Sequence, residues 1–451
     1  MSAFKILDTF NTWLDKYLNF EKLPQKNIFW LDTMEFLCEK LGNPQNKYKT
    51  IHVAGSKGKG STSVMIAGIL QEAGFNCGLY SSPHIIDFAE RIGKPDGPFS
   101  QEVYEKSVKE VMDTVDALDS ETLPLKRPIT WFELVTVFAF VCFKNAGVDY
   151  AVIEVGLGGR LDATNVISPV CCCITPIEKE HTEYLGDTEE LIAKEKGGII
   201  KENVPVLISA QKDSVRKVFE EIAETRNSPV TFIDDTSKVS QVVYKSAQKP
   251  QMEVTLLSPL FKRPLNCTLK LMGKYQCYNA LLSCMCVKTI MPQLDESVME
   301  AALSKASLTG RFEVYEEIPA YKGIKALILD GAHTVNSVSY TMETLADLYP
   351  EEKNIHLLFG CALDKDIKDI SLLFKNRFTS VTVTKPGLIK QSSLSKMEEA
   401  FRENQIEFKS FEDFTQGIKT SLQKASEEKS ILLVTGSFYL VSEVLKFLKN
   451  L

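Results

Sequence analysis

Residues 50–74 constrain this chain more tightly than any other stretch. Residues 50–54 (TIHVA) are rich in β-formers and predict a strand. Gly55-Ser56-Lys57-Gly58-Lys59-Gly60-Ser61 is a glycine-rich turn, and residues 62–73 form an apolar-periodic helix that Gly74 ends. A strand that turns through glycines into a helix N-terminus builds an anion cradle. Free N–H groups converge there, the helix dipole adds positive potential, and a lysine adds a full charge. Lys59 is placed against the β- and γ-phosphates of a nucleotide, with Ser61 near its metal. The spacing departs from the common phosphate loop: the first glycine comes early and Gly60 separates Lys59 from Ser61. An ordinary strand-to-helix turn is the competing reading, and the order strand, loop, helix favours phosphate binding.

A chain of 451 residues exceeds one hydrophobic core, so two or three domains are expected. Hydrophobic content of 44% and charged content of 25% fit a globular enzyme. The net charge of −7 and the lack of a long basic tract argue against a nucleic-acid partner, although 52 Lys and Arg leave room for a local positive pocket. No run of 18 apolar residues occurs, so no membrane span is expected, and residues 1–20 mix Lys, Asp and Asn among apolar residues, unlike a signal peptide. The expectation is a cytoplasmic monomer. Of the 11 cysteines, Cys171-Cys172-Cys173 lies in an apolar strand-like run. Thiols act there as small hydrophobes, and adjacent strand residues face opposite ways, which argues against a metal or disulfide role.

Strands and helices alternate along most of the chain. Helical periodicity over 4–41 breaks at Leu23-Pro24, a strand is predicted at 76–80, and 93–100 reads as a loop. A helix at 101–118 is followed by one at 131–145, opened by a Thr130/Glu133 capping box. Further strands are expected at 150–155, 170–175, 204–209 and 230–233, with a helix at 188–196. This pattern predicts an α/β fold: a doubly wound, mostly parallel sheet of phosphate-loop type with extra strands. Residues 251–271 break it as two strands around a turn, and helices follow at 276–290 and 296–306. Alternation then restarts with strands at 325–329, 355–360, 380–384 and 431–435 and a helix at 337–348, which predicts a smaller C-terminal Rossmann-like α/β domain. The boundary is set between domains 1–304 and 305–451.

In such sheets chemistry collects beyond the carboxyl ends of strands. Four consecutive strand ends carry reactive groups: the Lys59 loop, Ser82 with His84, Glu154 and His181. A carboxylate closing an apolar strand is costly to bury alone. Glu154 therefore reads either as a Mg²⁺ ligand facing the loop or as a partner of Arg160 or a helix end. His181 reads as a metal ligand or as a satisfied hydrogen-bonder. His52 and His356 read as structural.

Several motifs resemble those of folylpolyglutamate synthases and bifunctional dihydrofolate synthases, within the Mur ligase superfamily. They are the glycine turn at 55–61, Ser82-Pro83-His84 with Glu90-Arg91-Ile92, residues 130–136, the run 154–165 (EVGLGGRLDATN) and His181-Thr182-Glu183-Tyr184-Leu185-Gly186. Residues 192–200, Gly310-Arg311, Asp330-Gly331-Ala332-His333 and Asp364-Lys365-Asp366 extend the match in order over roughly 30–440. The resemblance implies that Gly55, Ser56, Lys57, Gly58, Lys59, Gly60 and Ser61 cradle ATP, with Asn279, Arg311, Asp330 and His333 also on the nucleotide. It implies Mg²⁺, one or two ions, on Ser82, Glu154 and His181, with Lys196 joining as a carbamate, and it raises a monovalent cation. Without the resemblance, Lys196 reads as a charge offsetting a helix C-terminus. The implied catalytic set is Lys59, Glu154, His181 and Lys196.

The sequence departs from the family pattern at Lys57, where Asn is usual, at Glu180, where Asp precedes the histidine, at Tyr275, where His is usual, and at Thr334-Val335, which replace Asn-Pro. The implied reaction is ATP-dependent amide ligation of L-glutamate to the carboxyl of a folate, and of dihydropteroate in the bifunctional case. A Mur-type ligase of cell-wall precursors would need a long domain before the loop at Gly55. A non-catalytic nucleotide-binding module would not need the Glu154/His181/Lys196 set.

Overall fold

Apolar strand runs without polar alternation are buried on both faces, and here they assemble side by side. The computed structural model describes residues 4–19, 30–245 and 250–451. The first sheet contains β1 (Lys49–Ala54), β2 (Cys77–Tyr80), β3 (Ile92–Lys94), β4 (Gly97–Pro98), β5 (Tyr150–Glu154), β6 (Cys171–Ile174), β7 (Val206–Ile208) and β8 (Val230–Phe232). Their order is β4-β3-β2-β5-β1-β6-β7-β8. From β2 to β8 the pairing is parallel, whereas β3 and β4 add antiparallel at the edge. All five residues of β5 and all four of β6 are buried, as a sheet with both faces covered requires. Residues of this one sheet feed two cores. Tyr80, Ala151 and Ile153 join Phe10, Tyr104 and Phe138 in one, and Cys172, Ile174 and Ile208 join Ile192 and Phe219 in the other.

The helix Trp131–Asn145 begins at the predicted cap: Thr130 Oγ1 accepts from the Glu133 N–H, and Glu133 Oε2 accepts from the Thr130 N–H. Residues 93–100 differ from the predicted loop, because β3 and β4 form a hairpin there. Strands of three and two residues are too short for a period of two to show.

A three-stranded sheet, ordered β11-β10-β9, contains β9 (Lys238–Lys245), β10 (Gln251–Leu257) and β11 (Leu265–Leu269). The strand β9 was not expected: no residue in it is buried, so no apolar face marks it. The last sheet contains β12 (Glu313–Tyr315), β13 (Ala326–Leu329), β14 (Ile355–Phe359), β15 (Ser380–Thr384), β16 (Lys409–Phe411) and β17 (Ile431–Thr435), ordered β12-β13-β17-β14-β15-β16. Its pairing is parallel except for the antiparallel edge β12. The predicted central strands are present, and the two short edges are additions.

The chain divides into two compact units. One comprises Met1–Gln241, Val254–Thr268 and Gln276–Ala306, and the other Val242–Glu253, Leu269–Tyr275 and Ser307–Leu451. The predicted break at Leu23-Pro24 lies outside the described residues. Among the described residues no helix is long and apolar enough to cross a membrane.

The cysteine run shows the expected alternation, with a consequence that adjacent-residue reasoning missed. Cys172 faces one way and donates to the Ile199 carbonyl, while Cys171 and Cys173 share the other face with Cys286. Their three Sγ atoms lie within 4.8 Å of one another. Burial pushes the Cys173 thiol well above the usual thiol range. All three thiols are buried in an apolar layer, where each packs as a small hydrophobe.

Candidate active site

The turn after β1 is narrower than the sequence suggests. The helix Lys59–Glu72 starts three residues before the predicted position, so Lys59, Gly60 and Ser61 form its first turn and residues 55–58 make the whole bend. Gly58 caps the helix in the left-handed region at φ 88°, and a Cβ on it would lie 2.6 Å from Asn279 Oδ1. Gly55 is more constrained still: φ is 137°, and a Cβ would lie 1.9 Å from Thr175 Oγ1. The structure thus seats Asn279, on the helix Lys274–Ile290, directly against the glycine turn. Ser56 ties the turn to the segment after β6, its N–H donating to the Pro176 carbonyl and its Oγ to the Glu178 carbonyl, both at 3.0 Å.

Three cations gather at this bend. Lys59 Nζ donates to the Gly55 carbonyl at 3.0 Å, and Lys196 Nζ donates to the same oxygen at 2.9 Å. Lys196, on the helix Glu189–Gly197, also pairs with Glu180 Oε1 at 3.0 Å, and Lys57 pairs with Glu180 Oε2 at 3.4 Å. Burial alone would raise the Glu180 pKa, but Lys196, Lys59 and Lys57 outweigh it and hold the carboxyl well below the usual carboxylate range. Burial pushes the Lys196 ammonium down to about 8, with Glu180 opposing and Lys59 adding to the shift.

Glu154 ends β5, whose register pairs it with Val53 of β1, so it stands beside the entrance to the glycine turn. It is buried, and its Oε2 accepts from the Ser82 N–H at 3.2 Å. Arg160, the partner weighed for it, is engaged by Glu195 through Nε and Nη2. His181 is exposed, at φ 47°, capping the short helix Thr182–Leu185. It lies close enough to Glu180 to lower that pKa. The Ser82 hydroxyl and the Glu154 carboxylate are oxygen donors of the kind a hard divalent cation takes, whereas the His181 imidazole is a softer nitrogen donor.

In the second unit, Asp330 follows β13 and is buried, its Oδ1 accepting from the Ala332 N–H at 2.8 Å. Burial pushes its pKa up to about 6 against that N–H and the Arg311 guanidinium. Arg311 lies 3.9 Å over the Phe438 ring, and His333 packs edge-on to the same ring while bonding the Gly331 carbonyl through Nδ1. A Cβ on Gly331 would meet Phe438 at 2.0 Å. Arg311, Asp330 and His333, far apart in sequence or separated by a turn, therefore form one cluster.

Residues 53–287 match the Mur ligase middle domain, and residues 310–438 match the Mur ligase glutamate ligase domain. The dihydrofolate synthase/folylpolyglutamate synthase of Bacillus subtilis is 30% identical over 448 residues, covering 97% of this chain and 98% of that one. This chain belongs to the dihydrofolate synthase/folylpolyglutamate synthase family. The folylpolyglutamate synthase of Lacticaseibacillus casei is 29% identical over 414 residues, covering 90% of this chain and 92% of that one. Among solved structures, Thermotoga maritima folylpolyglutamate synthase superposes with a TM-score of 0.80 at 29% identity, covering 99% and 97% of the two chains. The Mycobacterium tuberculosis folylpolyglutamate synthase solved with ADP and AMPPCP gives 0.85 at 25% identity, covering 98% of each.

Two departures from the family pattern acquire a physical reading. Thr334 caps the helix Val335–Leu348 through a capping box with Ser337, so it does locally what an Asn cap would, and Val335 occupies the first helical position that suits Pro. Tyr275 packs 5.6 Å from Tyr340. Sequence reasoning missed Thr175, which fills the space a Cβ on Gly55 would need, and gave no role to Glu180. It also missed that Arg91 is fully buried, donating from Nε to His84 Nδ1 at 2.7 Å beneath the Trp131 ring. An Arg with only 1% exposure in an apolar neighbourhood has no pattern in one dimension.

Proposed function

We propose that this protein is an ATP-dependent ligase that joins L-glutamate to the carboxyl of a folate, and to dihydropteroate if it is bifunctional like its Bacillus subtilis relative. One observation carries the reading: the bend after β1 gathers Lys59 and Lys196 on a single carbonyl beside the buried carboxylate of Glu154. A substrate carboxylate and a triphosphate repel each other, so their reaction needs converging positive charge. The carboxylate attacks the γ-phosphorus and ADP leaves, giving an acyl phosphate. The glutamate amine then adds to the acyl carbon, loses a proton, and phosphate departs.

Residues 55–61 bind the phosphates, with Asn279 beside the turn. Lys59 offers its charge to the transferred group. Ser82, Glu154 and His181 would hold Mg²⁺, which shields the phosphate oxygens when bound. In the arrangement described, Lys196 is a hydrogen-bond donor. Its ammonium, lowered to about 8, releases the free amine that carbamate formation requires more readily than an ordinary lysine. We assign Arg311, Asp330 and His333 to the nucleotide on resemblance, and take 1–304 and 305–451 as the functional domains, in a cytoplasmic monomer.

The test is ADP release with L-glutamate and each pterin acceptor in turn. Turnover dependent on both glutamate and a folate is expected. ADP release that is indifferent to every pterin would overturn the reading.

A further inference from the structure

Three buried polar side chains beside the candidate site are linked in a row that the ligation steps do not use. His52 lies in β1, wholly buried, and its register partner is Ile153, the residue before Glu154. Its Nε2 lies 2.9 Å from Thr164 Oγ1, and Thr164 Oγ1 donates to Asp162 Oδ1 at 2.5 Å. A hydroxyl has one hydrogen, so with that hydrogen on the carboxylate the Thr164 oxygen accepts from His52 Nε2–H. Burial holds the His52 pKa down at about 3, which keeps the imidazole neutral. Asp162 also accepts from the N–H groups of Thr164 at 3.0 Å and Leu157 at 2.8 Å. One buried carboxylate thereby closes both ends of the loop 156–165, which follows Glu154 almost at once.

The loop closed in this way meets the helix that carries Lys196. The Arg160 N–H donates to the Glu195 carbonyl at 2.8 Å, and Asn165 Nδ2 donates to the carbonyls of Arg160 at 3.0 Å and Gly198 at 3.1 Å. Glu195 and Gly198 lie at the C-terminal end of Glu189–Gly197, where carbonyl groups run short of helical donors. A Cβ on Gly159 would lie 2.8 Å from the carbonyl oxygens of both Glu195 and Lys196, so the two main chains are in contact. We propose that His52 is a positioning residue for the ligation: through Thr164 and Asp162 it sets the loop 156–165, and the loop carries that setting from Glu154 to the main chain of Lys196. The tether acts on the main chain, so it works alike whether the Lys196 side chain is an amine or a carbamate. His52 acts through its neighbours and is not itself a catalytic residue. Breaking the row at His52 or Thr164 removes a hydrogen bond from a buried polar group, where water cannot replace it.

The inference rests on the ligase reading, and its test separates the two. His52→Leu, His52→Gln, Thr164→Val, Thr164→Ser and the His52→Leu/Thr164→Val double variant are compared for kcat and for KM of ATP. Amide hydrogen exchange over 156–165 and 189–198 is measured on the same proteins. His52→Leu and Thr164→Val should each lower kcat about tenfold, the scale of one hydrogen bond in a charged row, with KM for ATP within about twofold of wild type. Gln offers an N–H in place of Nε2–H and Ser keeps the hydroxyl, so both should restore most of kcat. The double variant should fall no further than the worse single, because both changes cut the same row. Exchange should quicken over both segments in Thr164→Val and not in Thr164→Ser. Variants that lose only melting temperature, with kcat unchanged, would overturn the proposal, and so would single effects that multiply. If wild-type protein shows no glutamate-dependent turnover, the ligase reading fails and the exchange comparison alone decides whether the row sets the segment around Lys196. A His52→Leu protein that does not fold leaves the decision to Thr164→Val against Thr164→Ser.

Discussion

The bends after β1 and β13 each follow the carboxyl end of a strand and lead toward a helix, but they solve opposite electrostatic problems. At the first, Lys57, Lys59 and Lys196 surround the single carboxylate of Glu180, which they hold fully ionised. At the second, Asp330 is buried in a mostly apolar setting, and Arg311 does not offset the burial. The first bend has cationic charge to offer an anion. The second holds a carboxylate poised to take up a proton near pH 6. Both bends lie at the carboxyl end of a strand, while the neighbouring helices and loops decide the charge gathered there.

The sharpest way to break this contrast is Glu154→Ala. Glutamate-dependent ADP release should fall to background, with the circular dichroism spectrum unchanged, and near-normal turnover would remove Glu154 from the site. Lys59→Ala should lower kcat about 100-fold or more, in line with the loss of one preorganised charge at the reacting group.

Paired glycine substitutions sharpen the comparison further. Gly55→Ala meets both a positive φ and the backbone N of Thr175 at 2.9 Å, so it should cost more than about 3 kcal/mol in denaturant unfolding. Gly331→Ala meets only the Phe438 side chain, which can move, and should cost less. Equal losses would show that side-chain relief is not available in the second unit.

Asp330 supplies a pH test. Its folded pKa of about 6 exceeds the ordinary value of 3.8, so the folded state binds the extra proton between these values. Its contribution to stability is complete below about pH 4 and is lost as the pH rises through 6. Asp330→Asn should abolish that decline, about 3 kcal/mol by linkage, and an unchanged slope in the variant would assign it elsewhere. The smallest effect is expected from Thr334→Ala, which removes a cap worth about 1 kcal/mol and should lower the melting temperature by a few degrees.

Legibility in the sequence followed burial and length. The core strands β5, β6, β13, β14, β15 and β17 are apolar runs bounded by turn residues, and all could be read directly. The strands β3, β4, β9, β12 and β16 could not. They are short or exposed, and pairing to a neighbour rather than an apolar pattern places them at or next to sheet edges. At the site, Lys59 and Glu154 were visible because a glycine turn and a strand-ending carboxylate are local signals. Glu180 was visible only as an oddity of spelling. Its partners, Lys57 and Lys196, lie 123 and 16 residues away, and no periodicity links them.

The chain by itself determined the order of strands and helices, the bend at Gly55, the Thr130 cap and the run of motifs that places it in its family. Those features depend on steric and hydrogen-bonding preferences within a few residues of one another. Only the tertiary structure decided that Lys59 and Lys196 share one carbonyl, that Glu180 bridges Lys196 and Lys57, and that Cys286 joins Cys171 and Cys173. It also decided the upward shift of the Asp330 pKa, because desolvation and Coulomb interactions depend on distance through space and on what surrounds a charge.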